Sequence, residues 1–236
     1  MTGYSYVGEE LDLFAHAVNW KAYFHEQLAP YVKGDVLEIG AGVGGTTRAL
    51  CDGNQESWLC AEPDADMAQR LRDRARDEPF PITPEVLAGG LVDLDPARRF
   101  DTILYIDVLE HIEDDRGELE RAQGFLKPGG NLIVLSPAFQ FLYSPFDAAV
   151  GHHRRYTARA LSAVMPADLE RARLFYLDSV GMLTSLLNRF VLKQGTPDLD
   201  QIRLWDRVIV RISRFVDPLT FRSFGRSVIG IYQRRS

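Results

Sequence analysis

A run of closely spaced glycines follows a short apolar segment near the start of this 236-residue chain. The segment from Val36 to Ile39 is apolar apart from Glu38, and glycines occupy positions 40, 42, 44 and 45. Glycine permits left-handed backbone and lets the main chain approach a ligand closely. Such a run between a strand and a helix predicts a ligand-binding loop at a strand end, and it favours an α/β fold.

Apolar segments alternate with helical patterns through the first 140 residues. The predicted strands are Val36–Ile39, Trp58–Ala61, Val86–Ala88, Phe100–Ile106 and Leu132–Leu135. The predicted helices are Thr46–Leu50, Ala65–Asp77 and Glu118–Leu126, and Lys127–Gly130 is predicted as a turn. Strands that alternate with helices predict a parallel sheet covered by helices on both faces.

Both ends of the chain have a different pattern. Residues 10–32 have helical spacing and predict an N-terminal helical lid, 1–33, in front of a core at 34–177. Arg173–Leu177 and Ser227–Tyr232 predict the last two strands, and the residues between them are mostly helical in pattern. We therefore expect a helical cap insertion at 178–226, followed by a final strand and tail at 227–236.

Three carboxylates stand at or near the ends of predicted strands. Glu38 precedes the first glycine by two residues, Glu62 follows the second strand, and Asp107 follows the fourth. In a doubly wound fold these ends meet at one edge, and a carboxylate at Glu62 can accept both hydroxyls of a ribose. The glycines at 40, 42 and 45 also fit G-x-G-x-x-G, so a nicotinamide-dependent oxidoreductase is an alternative.

Four stretches together resemble the class I S-adenosylmethionine-dependent methyltransferases. They are VLEIGAGVG (36–44), CAEPD (60–64), FDTILYIDVLEHI (100–112) and LKPGGNLIVLSP (126–137). The chain is most similar to small bacterial members that also carry GHHRRYT (151–157). The resemblance implies a doubly wound, mostly parallel, seven-stranded Rossmann-like sheet with a helical insertion before the last strand. It also implies S-adenosylmethionine as the cofactor.

The resemblance further implies which residues meet the cofactor. They are Glu38, Gly40, Ala41, Gly42, Glu62, Pro63, Leu91 and Asp107. The backbone of 40–42 would pass beneath the amino-acid and ribose portions, and Glu38 would help to hold the methionine end. Glu62 would bind the ribose hydroxyls, with Pro63 beside the adenine. Asp107 would lie near the methionine amino group.

The chain departs from the family pattern after the third strand. An acidic residue often follows the glycine there, whereas this chain has Gly89, Gly90 and Leu91 before Asp93. The adenine contact is therefore expected from the Leu91 backbone or from Asp93.

A base is useful if the methyl acceptor is a hydroxyl, and histidine is suited to that task near neutral pH. His111 follows the fourth strand, and His152 and His153 follow the fifth by a loop. We expect His152 to be the base, with His153 and His111 as alternatives. The expected reaction is methyl transfer to a small-molecule or glycan-like acceptor, at oxygen.

The histidine pair belongs to a segment that is dense in charge. Asp147 precedes it, and Arg154, Arg155 and Tyr156 follow it. These three residues are expected to bind the acceptor, since arginine clamps carboxylates and phosphates. The alternative is a structural loop that caps the next helix through Thr157.

The segment from Gln201 to Ser236 carries eight arginines against two aspartates. One helical stripe is Arg203, Arg207, Arg211 and Arg214, and a second is Ile202, Trp205, Ile209, Ile212 and Val216. A basic amphipathic helix is typical of contact with an anionic membrane surface. The alternatives are a channel for a phosphate-bearing, lipid-linked acceptor, a cap helix that packs its apolar stripe on the domain, and a homodimer interface. A non-catalytic, membrane-peripheral cofactor binder is a further functional alternative.

Composition excludes several other classes. The formal net charge of −6 argues against nucleic acid, which requires a basic surface. Two cysteines supply neither a disulfide framework nor a four-thiolate zinc site, and no metal is expected. The first ten residues are polar and acidic, unlike a secretion signal, so a cytoplasmic protein is expected.

Overall fold

The computed structural model describes residues 16–187 and 198–235. Within these residues one seven-stranded sheet comprises β1 Gly34–Ile39, β2 Gln55–Glu62, β3 Glu85–Ala88, β4 Phe100–Ile106, β5 Leu126–Pro137, β6 Leu169–Leu177 and β7 Ser227–Arg234. The strand order is β3-β2-β1-β4-β5-β7-β6. Only β7 runs antiparallel to its neighbours, so the predicted fold class is confirmed.

Helices connect these strands. They are α1 Val18–Leu28, α2 Gly45–Leu50, α3 Ala65–Asp77, α4 Asp115–Gly124, α5 Pro145–Ala149, α6 Ala158–Val164, α7 Ser179–Leu187, α8 Leu199–Leu204 and α9 Val210–Leu219. A π-helical turn, Trp205–Ile209, joins α8 to α9. Short 3₁₀ turns occupy Ala29–Tyr31, Leu91–Asp93, Leu109–His111 and Gln140–Leu142.

The sheet separates two apolar layers. Leu37 and Ile103 belong to the core on one face, and Val36 and Leu104 belong to the core on the other. All four side chains are fully buried, because neighbouring residues of a strand point to opposite faces and helices cover both. The central parallel strands therefore bring their carboxyl ends to one edge, above which the glycine run lies.

One predicted turn is wrong. Lys127–Gly130 lies inside β5, which begins at Leu126 instead of Leu132. Gly129 adopts a φ of 75°, and the register of β4 against β5 shifts between Phe100 and Thr102. The strand absorbs its glycine pair as an irregularity, because a bulge keeps strands paired on both sides of an extra residue.

The terminal helices are held together by buried carboxylates. The Asp206 carboxylate accepts hydrogen bonds from the backbone of Asn19 and Trp20 at 3.1 and 2.8 Å, so it caps α1 from across the fold. The Asp217 carboxylate accepts from the Tyr23 hydroxyl at 2.9 Å. The lid prediction for residues 1–15 and the cap prediction for 188–197 lie outside the described residues.

The predicted apolar stripe of the C-terminal helix is wrong in part. Ile202 is buried as expected, but Ile212 is exposed. Asp206 and Asp217 instead share the buried face with Ile202 and Val210. Buried carboxylates are stable there because backbone and hydroxyl donors satisfy them. None of the helices described in this structure is long and apolar enough to cross a bilayer.

Candidate active site

The glycine loop lies at the end of β1 and takes left-handed backbone at several positions. Gly40 and Gly42 have φ values of 65° and 55°, a conformation that side chains with a Cβ rarely adopt. A Cβ on Gly40 would also approach the Val108 side chain to 2.6 Å. Glycine at these two positions therefore leaves main chain without a side chain on the cavity lining.

Glu62 at the end of β2 holds the loop in place. Its carboxylate accepts hydrogen bonds from the backbone N–H groups of Gly42 and Asp64 at 2.7 and 2.9 Å. Burial raises the pKa of Glu62, although the same hydrogen bonds favour its charged form. Glu62, Pro63 and Leu91 do not line the cavity that opens in front of the loop. Pro63 is exposed, while Glu62 and Leu91 are buried.

Glu38 lies behind the loop and also outside the cavity lining. One of its carboxylate oxygens accepts from the Thr47 hydroxyl at 2.7 Å and from the Trp58 indole at 2.9 Å. Burial raises the pKa of Glu38 to about 7. The carboxylate thus ties β1 to β2 and to the first turns of α2, and it supports the loop from below.

A cavity of about 230 Å³ opens in front of the loop. Its walls are formed by the loop backbone, α1, the end of β4, the segment after α5 and the π-helical turn. Outside the glycine loop, the polar and aromatic residues that line it are Trp20, Lys21, Phe24, Arg74, Asp107, Glu110, His111, Phe146, His152, Arg155, Trp205, Arg226 and Ser227. Its loop residues are Gly40, Ala41, Gly42, Val43, Gly45 and Thr46.

Asp107 faces this cavity from a left-handed backbone conformation with a φ of 54°. The residue is exposed, and it opens into the cavity that the surrounding protein walls form. Burial raises the pKa of Asp107 to about 6, while the charges of His152, Arg226 and Arg155 oppose the rise. A carboxylate in this setting suits an ammonium group, because a cation restores the charged form that burial disfavours.

His152 is oriented by a buried carboxylate. Its Nδ1 lies 2.8 Å from an oxygen of Asp147, and Arg155 donates to both oxygens of that carboxylate at 2.7 and 2.9 Å. Burial alone would raise the pKa of Asp147, but the hydrogen bonds from His152 and Arg155 hold it well below its usual range. The arrangement places the proton of neutral His152 on Nδ1, so its Nε2 carries the lone pair.

Glu110 and His111 stand beside the His152 ring. Nε2 of His152 lies 3.9 Å from a carboxylate oxygen of Glu110, and the rings of His111 and His152 meet edge to face at 4.6 Å. Burial raises the pKa of Glu110 and lowers that of His111 to about 4, so both groups favour their neutral forms. Each of the three side chains offers one atom that could coordinate a metal, and these atoms lie within 4.8 Å of one another. That spacing is compatible with a metal ion.

Three of the predicted acceptor-side residues lie away from the cavity. Arg154 pairs with Asp115 at 2.6 Å, and the buried Tyr156 hydroxyl donates to the same carboxylate at 2.6 Å. His153 is exposed, and its backbone N–H donates to the carbonyl of Glu110. Within this segment His152 and Arg155 face the cavity, and Arg154 and Tyr156 anchor it to Asp115 of α4.

Sequence reasoning missed several cavity residues. Lys21 and Arg74 approach the glycine loop, and burial together with Arg74 lowers the pKa of Lys21. Arg226 stacks on the Trp205 ring at 4.8 Å and also lines the cavity. Lys21 follows Trp20 in the sequence. A lysine on the buried side of an amphipathic helix is the signal that could have identified Lys21 as a cavity residue. Arg226 and Trp205 gave no local signal, because only the fold brings them to the loop.

Comparison with known proteins is consistent with this geometry. Residues 37–132 match the family model described as "Methyltransferase domain". The chain is 30% identical over 122 residues to the demethylmenaquinone methyltransferase of Tropheryma whipplei, which covers 51% of this chain and 49% of that protein. The chain spans about half or less of the length of the curated relatives it matches.

Solved structures share the fold at low sequence identity. The N-methyltransferase NodS of Bradyrhizobium japonicum WM9, in complex with S-adenosyl-L-homocysteine, aligns with a TM-score of 0.55 at 13% identity over 94% of this chain and 86% of that one. An S-adenosylmethionine-dependent methyltransferase of Clostridium acetobutylicum aligns with a TM-score of 0.58 at 12% identity, over 92% of each chain. The fold is that of the S-adenosylmethionine-dependent methyltransferases.

Proposed function

We propose that this chain transfers a methyl group from S-adenosylmethionine to a hydroxyl of a small-molecule or glycan-like acceptor. The observation that carries the proposal is one cavity lined by two chemically distinct sets of residues. The loop backbone at 40–42, Asp107 and Lys21 form the first set, and His152 with its Asp147 partner forms the second. The two sets are close enough for His152 and Asp107 to interact electrostatically.

The first set fits the amino-acid part of the cofactor. Asp107 offers a carboxylate for an ammonium group, and Lys21 with Arg74 offers positive charge for a carboxylate. Gly40 and Gly42, which line the same cavity, have no side chain that would occupy it. Glu62 is proposed to bind the ribose, and that role requires its carboxylate to exchange or share the N–H of Gly42. Pro63 and Leu91 are proposed to lie at the adenine, and Glu38 to support the loop.

S-adenosylmethionine supplies an activated methyl group on a sulfonium, so the protein need only align the reactants and exclude water. Nε2 of His152 is proposed to take the acceptor's proton as the new C–O bond forms and the bond between the methyl carbon and sulfur breaks, which leaves S-adenosylhomocysteine as the neutral product. Asp147 keeps the imidazole in the required tautomer and stabilises the imidazolium. Arg155 and Arg226 are proposed to orient the acceptor. His111 is proposed to line the methyl-transfer region in its neutral form.

Calorimetric titration tests the cofactor. S-adenosylhomocysteine should bind to the full chain, and NADH should not. Tight binding of NADH without a response to S-adenosylhomocysteine would favour the oxidoreductase that the glycine pattern alone allows.

Transfer of a radiolabelled methyl group to a panel of hydroxyl and amine acceptors tests the reaction. His152→Ala should lower the rate about 10²- to 10⁴-fold, the usual contribution of a general base. His153→Ala is the matched control, because that neighbouring histidine is exposed and should leave the rate unchanged. Equal rates for wild type and His152→Ala would refute the assignment of the base, and no transfer to any acceptor would favour a non-catalytic binder.

A further inference from the structure

The outer face of the C-terminal helix is apolar. Ile202, Asp206, Val210, Ser213 and Asp217 are its buried positions. The residues two places further along are Leu204, Val208, Ile212, Phe215 and Leu219, and all five are exposed. Two residues correspond to about 200° around a helix, so this second set points directly away from the protein. We call these five residues the apolar ridge.

The ridge is more exposed than scattered surface residues usually are. Phe215 and Leu219 are 79% and 78% exposed, and Phe221, just beyond the helix, is 91% exposed. The neighbouring helix α7 adds Leu183 and Leu187, which are both more than half exposed. Helix α7 packs on α9, since the backbone of Val180 donates to the Ser213 hydroxyl at 3.3 Å. Exposed apolar surface of this extent marks a binding face.

The charges next to the ridge are almost all positive. Arg203, Arg207 and Arg211 each precede a ridge residue by one position, and all three are exposed. The only acidic residues between 203 and 222 are Asp206 and Asp217, and both are buried and committed to donors inside the fold. Arg203 pairs with an exposed Asp200 at 3.6 Å, a contact that contributes little in water. Arg214, which precedes Phe215, pairs with Glu26 of α1. The surface therefore combines large apolar side chains with an excess of positive charge, which Arg207 and Arg211 carry.

We propose that this face docks on the surface of an anionic lipid bilayer, with the ridge and Phe221 in the interface and the arginines at the lipid headgroups. Amphipathic helices that bind membranes have this composition, with aromatic and aliphatic side chains beside a basic strip. A second copy of the chain fits less well. A two-fold interface would bring the arginine strips of both copies together, whereas the centres of protein interfaces are depleted of charge.

Co-sedimentation of the full chain with lipid vesicles tests the proposal. Wild type should sediment with vesicles that contain phosphatidylcholine and phosphatidylglycerol, and much less with phosphatidylcholine alone. Arg203→Gln with Arg207→Gln should weaken partitioning about thirtyfold, given the usual contribution of one arginine near an anionic surface. Phe215→Ser with Leu219→Ser should abolish sedimentation at high salt, where the apolar contribution persists.

Matched variants separate the local surface from general effects. Arg76→Gln with Arg99→Gln removes the same charge from other exposed sites, and Phe141→Ser removes a half-exposed aromatic ring elsewhere. Both variants should sediment like wild type. If the two arginine pairs weaken partitioning equally, net charge is responsible and the proposed face is refuted.

Two further outcomes would overturn the proposal. One is that wild type fails to sediment with anionic vesicles. The other is a stable dimer in light scattering that Phe215→Ser dissociates, together with no vesicle binding, which would assign the ridge to a second copy. Sedimentation does not depend on methyl transfer, so a failure of the proposed reaction would leave this result unaffected. Binding of S-adenosylhomocysteine by each variant would show that it is folded.

Discussion

The proposed contact between Asp107 and the ammonium group of the cofactor predicts that cofactor binding depends on pH. Its pKa is raised to about 6, so the carboxyl is mostly neutral at pH 5 and mostly charged at pH 7. Only the charged form attracts the ammonium group of the ligand strongly, and that ammonium stays protonated throughout this range. The affinity for S-adenosylhomocysteine should therefore rise about tenfold from pH 5 to pH 7, in proportion to the ionised fraction.

Asp107→Asn tests this effect with little structural change. Asparagine tolerates the left-handed backbone that Asp107 adopts, so the loop should keep its path. A charged hydrogen bond contributes about 1.5–3 kcal/mol, and its loss should weaken binding at pH 7.5 at least tenfold. Calorimetric titration from pH 5 to pH 7.5 measures both the affinity and its slope.

A second variant separates the contribution of Asp107 from that of Glu62, whose pKa burial also raises. Glu62→Gln should weaken binding at each pH by a similar factor and keep the slope, because its proposed contact is with neutral hydroxyls. The reasoning is refuted if Asp107→Asn retains both the affinity and the pH slope of the wild type. A flat profile in the wild type would also contradict it.

Two further predictions concern the stability of the site and its walls. Burial raises the pKa of Glu38 from 4.5 to about 7, so ionisation of Glu38 destabilises the fold as pH rises between these values. Urea unfolding should therefore show Glu38→Gln to be about 3 kcal/mol more stable than wild type at pH 8.5. At pH 4.5 the two proteins should be nearly equal in stability. Asp206→Ala should lower the unfolding free energy by about 2–4 kcal/mol, because two α1 amides and the Asn19 side chain lose a buried charged acceptor, whereas the exposed Asp200→Ala should change it little.

The central sheet was predictable because its strands carry strong local signals. The β4 prediction, Phe100–Ile106, agrees with the observed strand, and the short β3 was found to within one residue. Both have apolar runs bounded by polar or turn-forming residues. The start of β5 was missed because Pro128 and the glycine pair that follows it usually terminate a strand. Here the neighbouring strand compensates with a register shift, which is a property of the pair rather than of either sequence.

The site was predictable where it depends on chain order, and less so where it depends on packing. The loop at 40–42 and Asp107 follow their strands directly, so topology alone brings them together. In the 152–156 segment, by contrast, the side chains of neighbouring residues point in different directions. His152 and Arg155 turn toward the cavity, while Arg154 and Tyr156 turn toward Asp115, and sequence spacing in an irregular loop does not determine that choice. Residues such as Arg226 reach the cavity only through long-range packing.

One helical turn connects the cavity with the exposed ridge. Trp205 lines the cavity, the next residue, Asp206, caps α1 from a buried position, and Val208 belongs to the ridge. These residues belong to the π-helical turn, which holds an additional residue compared with a turn of α-helix. The extra residue rotates the side chains of α9 about the helix axis relative to those of α8. With that rotation, Val210, Ser213 and Asp217 face inward, and Phe215 faces outward. The same turn therefore determines which side chains close the cavity and which remain available to a partner surface.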